Sequence, residues 1–96
     1  NFGERIKELR ESKDLLQRQL AATLEIDTPM FSKIERGKEG RKENSNVLAE
    51  LLSADVQELL TLWLAEQVYD LVKDEDVASN ALQVTEDKLK YNQHKD

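Results

Sequence analysis

From Gln17 to Gly37 the chain reads QRQLAATLEIDTPMFSKIERG. Leu20, Ala21 and Leu24 recur at helical intervals, Ile26 follows a break, and Phe31 and Ile34 take up a second helical interval. One apolar side therefore runs through two short helices joined by a tight turn. Asp27 or Thr28 can accept from the first amides of the second helix, Pro29 suits a first-turn position that needs no amide donor, and Gly37 tolerates the left-handed conformation beyond the last turn. With Phe31 and Ile34 turned inward, the opposite face carries Thr28, Pro29, Met30, Ser32, Lys33 and Arg36. That face is open to a partner.

Phe2 to Lys13 predicts a helix before this pair, with Phe2, Ile6 and Leu9 on one side. Beyond the pair, Leu48, Leu51 and Leu52 define the buried side of a fourth helix, expected to begin near Asn44-Ser45-Asn46 and to be capped by Asn44 or Ser45. A fifth helix is announced by Asp55-Val56-Gln57-Glu58, which has the form of a capping box. Up to about Leu62 these five helices complete a small domain. An apolar stripe then continues through Trp63, Leu64, Val68, Leu71 and Val72, and Val77, Ala78, Ala81, Leu82, Thr85 and Leu89 suggest another helix.

Ninety-six residues support one modest core. There is no cysteine, so no disulfide framework or thiolate metal site is available, and no apolar run approaches a membrane span. A cytoplasmic protein is the expectation. The net charge of −6 hides an asymmetry: residues 1–42 hold ten Lys or Arg against eight Asp or Glu, and residues 43–96 hold four against twelve. Phosphate attraction acts over a Debye length of roughly 8 to 10 Å, so the local excess of Lys33, Arg36, Lys38, Arg41 and Lys42 matters more than the total.

Two helices joined by a three- or four-residue turn can place the second in a DNA major groove. Gln17, Leu20-Ala21, Ile26, Ser32, Ile34-Glu35 and Gly37 resemble the phage-repressor-like (Xre/Cro) helix-turn-helix family, over roughly residues 3–62. The resemblance implies an all-α protein. Residues 1–62 would form a five-helix repressor-like DNA-binding domain, and residues 63–96 a C-terminal helical extension, a dimerisation arm with a disordered tail. It further implies base contacts from Thr28, Pro29, Ser32 and Lys33, and backbone contacts from Gln17, Arg36 and the loop residues Lys38, Arg41 and Lys42. The Gln17 amide could also brace the recognition helix. Arg10 would pair with Glu35. The sequence departs from the family at Leu16, which cannot cap a helix with its side chain, and at Glu25, which stands where glycine is usual.

The implied function is sequence-specific transcriptional regulation by a dimeric repressor on double-stranded operator DNA, with restriction-modification or mobile-element genes as regulated targets. Trp63, Leu64, Val68, Leu71, Val72 and Leu82 are the expected dimer interface, with the last helix folding back on the fifth as the alternative. A rival reading makes the acidic segment 63–92 the protein-binding arm of an antitoxin-like module. His94, the single histidine, has no partner motif for catalysis, and the acidic run Asp74-Glu75-Asp76 fits the start of the last helix better than a calcium loop. No enzyme activity, cofactor, metal or small-molecule ligand is expected.

Overall fold

The computed structural model describes residues 1–38 and 40–94. Six helices follow in order: α1 Phe2–Ser12, α2 Gln17–Leu24, α3 Thr28–Glu35, α4 Lys42–Leu52, α5 Val56–Val72 and α6 Ala78–His94. There is no strand among the described residues, so the chain is all-α. Among those residues no helix is long and apolar enough to cross a membrane.

The core is built from α1 to α5. Phe2 and Ile6 of α1, Leu20 and Ala21 of α2, Phe31 and Ile34 of α3, Leu48, Ala49 and Leu52 of α4, and Leu59 of α5 meet in one buried cluster. Gly3 sets how closely α1 passes the end of α3: a Cβ there would lie 2.5 Å from the Glu35 carbonyl oxygen and 2.6 Å from that of Ile34. Only a residue without a side chain fits that crossing.

Four helices end in a left-handed residue, at Asp14, Glu25, Gly37 and Ser53. At each, the following amide donates back to a carbonyl in the last turn, as in Leu15 N–H to Arg10 O, Ile26 N–H to Ala21 O, Lys38 N–H to Lys33 O and Ala54 N–H to Ala49 O. These are Schellman closures, and they satisfy carbonyls that the helix leaves without partners. Three of the four are made without glycine.

Several expected details change. α4 begins at Lys42, earlier than Asn44, with Arg41 at its N-cap and no side-chain cap. Ser45 cannot cap it because it is fully buried within the helix. Lys42 is therefore a helix residue, and Arg41 is the extended residue just before it. At α5 the cap forms by halves: Asp55 Oδ1 accepts from the Gln57 amide at 2.9 Å, whereas Glu58 lies 3.3 Å from the Arg5 guanidinium and ties α5 to α1 instead.

The division at residues 62 and 63 falls inside α5, which runs through it unbroken. Trp63, expected at a dimer interface, belongs to the first unit. Its ring packs against the core, and its indole N–H donates to the Gly40 carbonyl at 2.9 Å. Helical register explains this, since Leu59, Leu62, Trp63 and Glu66 share the inward side of α5, while Leu64, Val68 and Leu71 lie on the other. Folding back of α6 does not cover it, because every described side chain from Ser79 to Gln93 is exposed. α6 continues helically to His94, and the rest of the expected tail, residues 95 and 96, lies outside the described residues.

Candidate nucleic-acid interface

α3 is held by its last residue. Glu35 is buried, and its Oε2 accepts from Arg10 Nε at 2.6 Å. Its Oε1 accepts from Arg10 Nη2 at 3.2 Å and from Gln17 Nε2 at 2.8 Å. Arg10 Nη1 donates to the Leu15 carbonyl at 2.8 Å. One carboxylate thus fixes α1, the turn after it, α2 and α3. The hydrogen bond to Glu35 raises the Arg10 pKa, against the opposing effect of burial, so the guanidinium stays charged.

The start of α3 is fixed as well. Asp27 is the N-cap, and its Oδ1 accepts from the Met30 amide at 2.7 Å, with Pro29 in the first turn. Between Asp27 and Glu35 the helix cannot fray at one end or rotate at the other. α2 has the weaker N-terminus: Leu16 supplies no side-chain acceptor, and only Gln19 Oε1 reaches back, to the Leu16 amide at 2.7 Å. The spacing Leu16-x-x-Gln19, the second half of a capping box, is the sequence signal for that contact.

What this framework presents outward is a polar and basic face. Thr28, Pro29 and Lys33 are exposed and Ser32 is half-buried, all on the side of α3 away from Phe31 and Ile34. Met30 turns partly aside, into a cleft with Leu24, Ile26 and Arg41. Arg36, Lys38, Arg41 and Lys42 continue from the end of α3 to the start of α4, all exposed. Among the described residues none of these four, nor Lys33, is in a salt bridge.

Two features of this edge favour an anion. Arg41 and Lys42 occupy the N-terminus of α4, where the helix dipole is already positive. A cation at that end costs roughly 0.3 to 1 kcal/mol, and Glu43 in the same turn offsets only part of it. A bound anion would reverse the sign. Gln17 keeps a further donor, because a side-chain amide has two N–H groups and one is committed to Glu35. The dipole end at α4 is hidden in the sequence, where Arg41 and Lys42 follow two glycines and read as part of a loop.

The expected interface residues divide. Thr28, Pro29, Ser32, Lys33, Arg36, Lys38, Arg41 and Lys42 line one edge of the five-helix body, with Gln17 behind it. Leu64, Val68, Leu71, Val72 and Leu82 belong to the α5–α6 arm, where Leu64, Val68, Val72 and Leu82 line one groove and Leu71 is exposed beside it. Comparison with protein-family models, with curated proteins and with solved structures finds no match to this chain.

Proposed function

We propose that the chain is a sequence-specific DNA-binding transcriptional regulator of the phage-repressor-like (Xre/Cro) kind, acting as a dimeric repressor. The observation that carries this reading is the clamped α3: Asp27 caps one end, Arg10 and Gln17 hold Glu35 at the other, and the outward face carries basic groups outside any salt bridge among the described residues. A helix fixed at both ends can hold side chains in register with base edges. Lys33 donates to guanine O6 and N7, Ser32 adapts as donor or acceptor, and the Thr28 methyl and Pro29 ring meet thymine methyl groups. Arg36, Lys38, Arg41, Lys42 and the second Gln17 donor take phosphates, which position the helix without reading sequence.

The cations at the α4 N-terminus support the same reading. An anion held there gains from the side chains and from the dipole together. Removing one phosphate-binding cation should lower the slope of log affinity against log salt by about 0.9. Lys38→Ala should therefore flatten the slope by about that amount while leaving sequence preference unchanged, and Lys33→Ala should relax preference at one base pair.

Selection of sites from a random duplex pool at roughly 150 mM salt tests the reading, because non-specific attraction is largely screened there. Enrichment of an inverted repeat supports a dimeric regulator, and a single half-site supports DNA reading by one copy. Absence of any enriched sequence overturns the proposal in favour of a protein-binding role for the acidic arm.

A further inference from the structure

Helix α5 is apolar on two opposite sides. Leu59, Leu62 and Trp63 enter the body, but Leu64, Val68 and Leu71 point away from it, and Leu71 is 78% exposed. A helix apolar all round is ordinarily buried all round. Beyond the Lys73–Val77 elbow, α6 turns back at a distance. The two helices leave between them an open groove of about 470 Å³ lined by Leu64, Val68, Val72 and Leu82.

The sequence of α6 indicates what fills the groove. Ala78, Leu82, Thr85 and Leu89 form a stripe spaced four, three and four residues apart, the interval of a coiled-coil seam. That spacing reads the same in both directions, so two α6 helices laid antiparallel bring Ala78 opposite Leu89 and Leu82 opposite Thr85. On α5, Thr61, Ala65, Val68 and Val72 repeat the same intervals. Charge follows the same symmetry: Asp74, Glu75 and Asp76 lie at the elbow, whereas Lys88 and Lys90 lie towards the other end of α6. An antiparallel pair sets the acidic elbow of each copy beside Lys88 and Lys90 of the other, whose charge is partly balanced by Glu86 and Asp87 in the same helix.

We infer that the α5–α6 groove is filled by α6 of a second copy of this chain, the two arms closing into a four-helix cluster around an antiparallel α6 pair. The area suffices: covering Leu64, Val68, Leu71, Leu82 and Leu89 removes on the order of 500 Å² per copy, and polar flanks complete the roughly 800 Å² per partner of a standard interface. This deepens the dimer proposed above and rests on that reading for the role of two copies. It takes nothing from the body core, whose last fully buried residue is Leu59.

Sedimentation equilibrium of the full chain without DNA, over roughly 1 to 200 μM, tests it. The expected result is a reversible dimer, and Leu82→Glu should raise its Kd at least ~100-fold while leaving the folded body's circular dichroism intact. Leu16→Glu, at an exposed leucine on the body, should leave the dimer unchanged. In a chain that has no cysteine, the double variant Ala78→Cys, Leu89→Cys, which the antiparallel seam sets face to face, should oxidise to a covalent dimer, since the two sites lie about 16 Å apart along one helix and cannot bridge within a chain. A wild-type monomer at the highest concentration, an unchanged Leu82→Glu dimer, or a dimer that never cross-links overturns the arrangement. A monomer that still enriches a half-site removes the arm pairing alone; a cross-linked dimer that enriches nothing removes the DNA reading alone.

Discussion

The five-helix body and the α5–α6 arm use similar amino acids to different ends. In the body every helix contributes at least one fully enclosed apolar side chain, and the buried charges Arg10 and Glu35 are paired. In the arm, Leu64, Leu71, Leu82, Val84 and Leu89 are exposed, and the hydrogen bonds of the Gln67, Gln83 and Thr85 side chains stay within one helix. The difference shows where each region finds its stabilisation. The body closes on itself through contacts distant in sequence, whereas the arm has local helix-forming interactions and an apolar surface that remains to be covered. α5 belongs to both, with one side in each.

The comparison breaks most sharply at Arg10. Replacing it with methionine leaves Glu35 buried with only Gln17 as partner, and removal of one member of a buried ion pair costs about 3 to 5 kcal/mol. Arg10→Met should lower the thermal midpoint of the body strongly and, on the proposed function, weaken DNA binding with it, as the end of α3 is released. An unchanged melt would show that the clamp contributes nothing. The charge itself is secure near neutrality: a raised folded pKa means that its stabilisation is fully present below the unfolded value and is lost only as strongly alkaline pH is reached.

A smaller effect, of opposite sign, is expected at Glu25. Its φ of 59° is a left-handed conformation that costs a side-chain-bearing residue about 1 to 2 kcal/mol. Glu25→Gly should raise body stability by about 1 kcal/mol, since the greater freedom of glycine when unfolded cancels part of the gain. Chemical denaturation at a single low protein concentration measures this without interference from association. A decrease would mean that the Glu25 side chain, rather than its backbone, holds the turn.

Trp63 sharpens the border between the two regions. Trp63→Phe keeps an aromatic ring against Gly40 but removes the hydrogen bond to its carbonyl, a contribution of about 0.5 to 1.5 kcal/mol. Stability should fall by that amount while the mass in solution stays that of wild type. A change in association instead would return Trp63 to the arm. Gly40 lies on the segment between Gly37 and α4, so the same substitution should loosen the approach to Arg41 and Lys42 and, on the proposed function, weaken the phosphate contacts assigned to them.

Much of the body is legible in the sequence. The intervals of Leu20, Ala21, Phe31 and Ile34 mark the core sides of α2 and α3, Asp27 and Pro29 mark a helix start, and Gly37 marks an end. The ends at Asp14, Glu25 and Ser53 carry no glycine, so their left-handed turns are hidden, although Glu25 stands out as a departure. The start of α4 is obscured because Asn44 and Ser45 are good capping residues, and tertiary burial of Ser45 outweighs that local preference. Trp63 is misleading because Leu60, Trp63, Leu64 and Val68 read along the chain as one stripe. In space, α5 divides them between two sides.

The smallest expected effect lies in the arm. Lys90 sits 2.8 Å from Glu86 one turn earlier, and its hydrogen bond lowers the Glu86 pKa. A depressed folded carboxyl pKa contributes stability above the unfolded value, about 4.3 for glutamate, and loses it as pH falls through the folded value. Helix content in α6 should therefore drop slightly more in wild type than in Glu86→Gln on acidification below about 4.3, because the variant has no charge to lose. The contribution is small because both side chains are exposed and water screens the pair. Equal loss of ellipticity in wild type and Glu86→Gln over that range would show that the pair contributes nothing to the helix.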